Sequence, residues 1–130
     1  MPPSGFTYAT VRIVPDLERG EFVNAGLVLF ARERRFLQAR TALDVDALEA
    51  LRPGCDLDGI GAQLHLVEQV AAGEIRGPFA TMDQSQRFHW LTTPRSTVVQ
   101  PGPLHGGVTE DPEATFEHLW SILVERGARA

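Results

Sequence analysis

The sequence predicts an α+β domain in which a largely antiparallel sheet carries helices packed mainly on one face. Residues 6–42 contain three apolar or alternating runs joined by short links, as in a strand meander. From Asp44 onward the apolar residues recur with a helical period instead. A length of 130 residues, with 43% hydrophobic and 22% charged residues, fits one globular domain over residues 1–130. We expect flexible ends at residues 1–5 and 128–130.

The first predicted strand covers residues 6–15. Val11 and Ile13 share one phase of its alternation, and Thr10 and Arg12 share the other. This pattern is typical of a strand with one buried face.

The second and third strands are predicted near residues 22–32 and 35–42. The run FVNAGLVLFA is almost wholly apolar, which suits a central strand covered on both faces. Asn24 and Gly26 interrupt this run, and a β-bulge explains the interruption. The short links predict an antiparallel meander, to which a later strand near 97–101 is added.

Helices are predicted near residues 46–52, 57–72 and 111–126. Asp46 lies three residues before Glu49, which is a capping-box spacing, and Asp111 with Pro112 is typical of a helix start. Gly127 is the predicted end of the last helix. Its apolar stripe predicts a core position for Trp120 against the sheet. The pentapeptide RFHWL is too short to assign to helix or strand, and PGPLHGG reads as a loop.

Composition excludes several classes of protein. The net charge is −5, and the twelve basic residues, all arginine, are outnumbered by seventeen acidic ones, so we do not expect nucleic-acid binding. The single cysteine, Cys55, cannot form an internal disulfide or a zinc site of several thiolates. No run reaches membrane-spanning length and no secretory start is present, so we expect a cytoplasmic protein without a membrane segment. No glycine-rich phosphate motif is present, and no cofactor is predicted.

The richest candidate for a site is the stretch from Arg87 to Gly107. Within it, Arg95, Ser96 and Thr97 combine a planar cationic fork with two hydroxyl groups, which suits a phosphate or carboxylate. The same residues after a proline also suit a turn in which the hydroxyls bond local backbone. Both interpretations stay open at this point.

Two further residues are candidates for ligand contact. His105 is an alternative catalytic acid or base, or it is a loop histidine that bonds a carbonyl or solvent. Asn24 either contacts a ligand or ties the bulge to a neighbouring strand. His89 and His105 lack a metal-ligand spacing, so no metal site is predicted. Arg12 and Arg40, in the flanking strands, would form a cationic cluster with Arg95 if all three share a face.

Three segments together resemble the DUF3037 family, an uncharacterised bacterial one: YATVRIVPDLERGEFVNAGLVLFARERRFLQAR, FHWLTTPRSTVVQPGPLHGG and TEDPEATFEHLW. The resemblance runs from Tyr8 to about Leu123. It implies a small, self-contained bacterial domain and carries no reaction with it. Members are thought to be encoded beside a protein that resembles the HipA-type kinases, which points to a protein partner.

Two functions follow as hypotheses. The first is a non-enzymatic accessory or binding domain that acts with another protein, for which a HipA-like kinase encoded nearby is the candidate. The alternative is a small enzyme or ligand-binding protein for a phosphorylated or nucleotide substrate, with Arg95 and His105 in its site. Geometry separates the two, because an enzyme needs these groups in one pocket.

Overall fold

The computed structural model describes residues 2–125 and consists of five strands and four α-helices. A 3₁₀ turn lies at Arg32–Arg34, another at Gly77–Thr81, and a π-helical turn follows the last helix at Ser121–Glu125. The strands are β1 Ser4–Ile13, β2 Val23–Ala31, β3 Phe36–Thr41, β4 Val99–Pro101 and β5 His105–Thr109. The helices are α1 Val45–Leu51, α2 Leu57–Ala72, α3 Gln84–Thr92 and α4 Pro112–Trp120.

All strand pairs in the sheet are antiparallel. The strand order is β3-β2-β1-β4. The strand β5 pairs with the first half of β1, on the same side of β1 as β4. The predicted α+β class, the meander of three strands and the later fourth strand are therefore confirmed. None of the helices within residues 2–125 combines the length and the apolar character needed to cross a bilayer.

The predicted bulge is present where β1 meets β2. Val11 pairs with Gly26 and Arg12 pairs with Asn24, so Ala25 is the extra residue. Gly26 is required there because a Cβ at this position would lie 2.8 Å from the carbonyl oxygen of Arg40. Close approach of neighbouring strands thus accounts for a glycine within an apolar strand.

The helices divide unequally between the two faces of the sheet. On the face we call the three-helix face, α1, α2 and α3 cover the larger core, which includes Val11, Val28, Leu48, Leu64 and Phe88. The opposite, one-helix face is covered by α4 and the π-helical turn, and its fully buried residues are Leu27, Leu29 and Phe116. Packing mainly on one face is therefore correct for three helices, and α4 is the exception.

The stripe of α4 packs on the sheet as predicted, although Trp120 is only partly buried. Phe116 occupies the fully buried position, and Trp120, Leu119 and Leu123 pack around its cluster. The core position predicted for Trp120 is therefore corrected to the margin of this smaller core.

Three sequence-based assignments change in the structure. The predicted loop PGPLHGG ends in β5, because His105 to Thr109 pair with β1 from Tyr8 back to Ser4. The same pairing places Ser4 and Gly5, expected in a flexible end, within β1, and Ser4 is buried. The undecided RFHWL is helical, since a capping box at Asp83 starts α3 just before it.

The helix ends follow side-chain caps. Asp111 accepts a hydrogen bond from the backbone of Ala114, as its predicted N-cap role requires. For α1 the cap is Asp44, two residues before the predicted start. The assignments to Gly127 and to residues 1 and 128–130 lie outside the described residues.

Candidate functional site

Arg95 lies in the connection between α3 and β4, with its guanidinium turned toward the end of α3. Its Nη2 donates to the carbonyl of Trp90 at 2.5 Å, and its Nε donates to the carbonyl of Thr93 at 3.3 Å. The guanidinium carbon also lies 4.8 Å from the centroid of the Trp90 ring. These contacts fasten the connection to the helix. Anion binding by Arg95 stays a prediction.

A small apolar cavity lies beside Arg95 on the three-helix face. It has a volume of about 60 Å³ and its lining includes Val11, Leu66, Trp90, Leu91 and Val99. An engineered cavity of about 150 Å³ binds benzene, so this smaller one has room for only a few carbon atoms. The cavity is therefore far too small for a nucleotide, whose sites span roughly 300–1,000 Å³.

The two hydroxyl residues after Arg95 point to different places. Thr97 donates from Oγ1 to the carbonyl of Val99 at 2.7 Å, which is the local backbone bond of the turn interpretation. Ser96 instead lines an open cavity with Arg12. The triplet that looks like one anion site in the sequence is thus divided in the structure.

His105 begins β5, and its exposed ring lies on the one-helix face. It packs against Tyr8, with the ring centroids 5.3 Å apart. Tyr8 belongs to the cluster of the one-helix face, whereas Val11, which lines the Arg95 cavity, belongs to the core of the three-helix face. The structure therefore places Arg95 and His105 on opposite faces of the sheet and brings them into no common pocket.

Asn24 lies beside the bulge, and its side chain is aimed at the C-terminal part of the chain. Nδ2 donates to the carbonyl of Leu123 at 3.2 Å, while the buried Oδ1 has no hydrogen-bond partner within residues 2–125. The amide thus ties the bulged strand to the π-helical turn rather than to a neighbouring strand.

An ion pair between Arg40 and Glu117 joins the sheet to α4. Arg40 of β3 forms a two-point ion pair with Glu117 of α4, with Nη1 to Oε2 at 3.0 Å. These hydrogen bonds are the main reason that the pKa of Arg40 is raised and the pKa of Glu117 is lowered from their ordinary values.

Over residues 2–125, no group of three or more histidine, cysteine or acidic side chains is arranged to hold a metal ion.

The cationic cluster considered for Arg12, Arg40 and Arg95 does not form. Arg12 has the phase of Tyr8 and lies on the one-helix face, as does Arg40 beside Phe116, whereas Arg95 lies on the other face. Sequence reasoning gave Arg12 no separate role. The only sequence signal at position 12 is that Arg12 belongs to the polar set of alternating residues in β1. The surroundings of the Arg12 side chain depend on strand register, which the sequence does not reveal.

The edges of the sheet differ in how well they are protected. The helix α2 packs against β3, all six residues of β3 are partly buried, and Glu68 of α2 accepts a hydrogen bond from the backbone N–H of Thr41 at 3.1 Å. On β4, Pro101 has no N–H to offer, and Thr97 already occupies the carbonyl of Val99. Partial burial of β3 and the proline of β4 make both edges less accessible to a further strand.

The edge formed by β5 has no such protection. Its residues, His105 to Thr109, include no proline, arginine, lysine, aspartate or glutamate. No backbone hydrogen bond from elsewhere in residues 2–125, apart from the pairing with β1, reaches this strand. Val108 is 75% exposed and Leu104, just before the strand, is 53% exposed. Bare polar backbone next to exposed apolar side chains favours pairing with another chain.

Comparison with known families supplies one match. The model of a family described as a protein of unknown function (DUF3037) matches residues 8–124, nearly the whole chain. The chain belongs to the DUF3037 family. The three segments quoted from the sequence lie within this match, and the resemblance is confirmed over the expected range. Neither a curated protein nor a solved structure matches this DUF3037 chain.

Proposed function

We propose that this DUF3037 chain is a non-enzymatic binding module that receives an extended segment of a partner protein along β5. The observation that carries the proposal is the contrast among the sheet edges. Every residue of β3 is partly buried and the edge at β4 is blunted, while four of the five residues of β5 are exposed, with Val108 as its exposed apolar side chain and Leu104 just before it. Main-chain pairing would supply affinity, and Val108 would supply apolar contact.

The direction of the backbone groups identifies which residues of β5 would pair. Val14 donates its N–H to the carbonyl of Val98, and Gly102 donates to the carbonyl of Thr10, so the even-numbered residues of β1 face β4 and β5. Backbone groups alternate in direction along a strand. The even-numbered residues of β1 pair with the odd-numbered residues of β5. Gly106 and Val108 therefore direct their N–H and C=O groups away from the sheet.

The enzyme alternative has less support. It requires Arg95 and His105 to act on one phosphorylated or nucleotide substrate, and these side chains lie on opposite faces of the sheet. The cavity beside Arg95, at about 60 Å³, also has no room for such a substrate. A protein partner needs no such convergence of polar groups. A HipA-like kinase is the first partner to test, because the family resemblance implies one.

Val108→Pro gives a direct test of strand addition. Proline removes the outward N–H of residue 108 and leaves the hydrogen-bonded residues that face β1 unchanged. We expect the dissociation constant for the purified HipA-like kinase, measured by titration calorimetry, to rise at least about tenfold, equivalent to about 1.4 kcal/mol. Ile122→Thr is the matched control, since Ile122 is also an exposed apolar residue but lies in the π-helical turn.

The two halves of the proposal are refuted separately. Equal affinity of Val108→Pro and the wild-type protein would show that β5 is not the binding edge. Failure of the kinase to bind at all would exclude it as the partner. Concentration-dependent self-association of the wild-type chain, abolished by Val108→Pro, would assign the same edge to a second copy and would contradict the accessory role.

A further inference from the structure

The guanidinium of Arg12 has no hydrogen-bond acceptor among residues 2–125. Its Nε is buried without a hydrogen-bond partner, and no hydrogen bond or ion pair joins the group to any other residue within 2–125. Arginine is always charged and carries five N–H donors. Only Nε is buried in this way, and burying a donor without an acceptor costs free energy. The two terminal nitrogens are not buried, so they are accessible to solvent or to a ligand.

Neighbouring residues hold the Arg12 guanidinium in place. Its carbon atom lies 4.0 Å from the centroid of the Phe22 ring, a cation–π distance. The backbone of Gly102 also packs close to the Arg12 side chain. A Cβ at position 102 would lie 3.0 Å from Nε of Arg12 and 2.6 Å from the hydroxyl oxygen of Thr10. An arginine that is already positioned loses little conformational freedom when it binds a ligand.

An open cavity of about 320 Å³ lies next to Arg12. Its lining has one charged residue, Arg12 itself, together with the polar Ser96 and Gln100, Gly20, and apolar walls from Val14, Leu17 and Phe22. The hydroxyl of Ser96 makes no hydrogen bond to another residue within 2–125. The amide of Gln100 is held by donation to the carbonyl of Thr97 at 2.7 Å. The cavity thus combines a cationic fork, a free hydroxyl and apolar walls.

We propose that Arg12 anchors a binding site for the oxyanion, carboxylate or phosphate, of a small organic molecule with a short apolar part. The planar fork of arginine matches two oxygens of either group. The apolar walls would take the rest of the molecule, and the volume lies near the lower end for small-ligand sites. This site is independent of the β5 edge, and neither proposal requires the other.

The acidic residues of the loop after β1 do not line this cavity. Among them, Glu21 is occupied by Arg19, whose Nε lies 2.6 Å from Oε1. Asp16 accepts a hydrogen bond from the backbone of Glu18. Arg12 is therefore the one charged side chain among the residues that line the cavity, although the whole chain carries a net charge of −5.

Titration of the wild-type protein with butyrate, butyl phosphate and butylammonium tests the proposal. We expect saturable binding of at least one of the two anions and none of the cation, which has the same apolar part. The anion that binds more tightly identifies the oxyanion as carboxylate or phosphate. Arg12→Gln should weaken that binding roughly tenfold to a hundredfold. Arg19→Gln is the control and should leave it unchanged, since this nearby arginine is already paired.

A second measurement keeps the proposal testable if Arg12→Gln does not fold. In the wild-type protein, the ¹⁵Nε–Hε resonance of Arg12 should shift on saturation, while that of Arg19 should stay in place. The proposal is overturned if neither anion binds, if the cation binds as tightly, or if saturation leaves the Arg12 resonance unmoved.

Discussion

Replacing Phe116 by alanine should remove the centre of the smaller core. The Phe116 side chain is 0% exposed and packs between α4 and the sheet, with Leu27 and Leu29 as its fully buried neighbours. Removal of a buried phenylalanine ring costs about 3–5 kcal/mol, because transfer free energy is lost and a cavity remains. Domains of this kind have about 5–15 kcal/mol of stability, so the variant should lose a large part of it.

Trp120→Ala supplies the comparison for this prediction. Trp120 is larger than Phe116 but only partly buried at the margin of the same cluster. Trp120→Ala should therefore lower the free energy of unfolding by less than Phe116→Ala does, by about 1–3 kcal/mol. Urea unfolding followed by far-UV circular dichroism measures both variants without relying on tryptophan fluorescence. A larger loss for Trp120→Ala than for Phe116→Ala would refute the assignment of the buried position in this core.

Three further substitutions test the packing and the charge of the fold. Gly26→Ala should lower the free energy of unfolding by roughly 1–3 kcal/mol, since its Cβ would meet the Arg40 carbonyl at 2.8 Å. Gly61→Ala, inside α2 with no atom within 4 Å of the new Cβ apart from its chain neighbours and the backbone of its own helix, should raise it by about 0.4–1 kcal/mol in the same urea assay. Glu117→Gln should lower the melting temperature at pH 7. The wild-type advantage depends on a carboxylate whose pKa is lowered by Arg40, so it should be complete above the ordinary value of 4.5 and vanish as the pH falls through the folded-state pKa. A stability difference that persists at pH 2 would contradict this role of the ion pair.

Much of the fold is predictable because its signals are local. The alternation of β1, the apolar run of β2 and the Asp111-Pro112 start of α4 each depend on neighbouring residues alone. The strand β5 gives no such signal, since Gly106 and Gly107 have weak strand preference. It is defined by distant pairing with β1, and Gly107 fits because the Phe6 ring lies 2.8 Å from where its Cβ would be.

The candidate site was less predictable than the fold, for a related reason. Sequence places Arg95 after Pro94, yet it does not show that the carbonyl of Trp90 is the acceptor. Conversely, Arg12 has no distinctive neighbours in the sequence. Its environment, without an acceptor among residues 2–125, depends on the register of β1 against β4 and on Phe22 from the other side of a turn. Side-chain direction across a sheet is a tertiary property.

The unequal division of the core has a consequence for the motions of the native state. On the one-helix face, α4 is held by a small cluster around Phe116 and by the ion pair from Arg40, whereas the other face keeps its own large core. Detachment of α4 should therefore need less free energy than global unfolding and should leave the paired strands intact. Amide hydrogens of α4 should exchange through this partial opening, earlier than those of β2. Each opening briefly uncovers Leu27 and Leu29, so the tightness of α4 limits how often the middle of the sheet meets solvent.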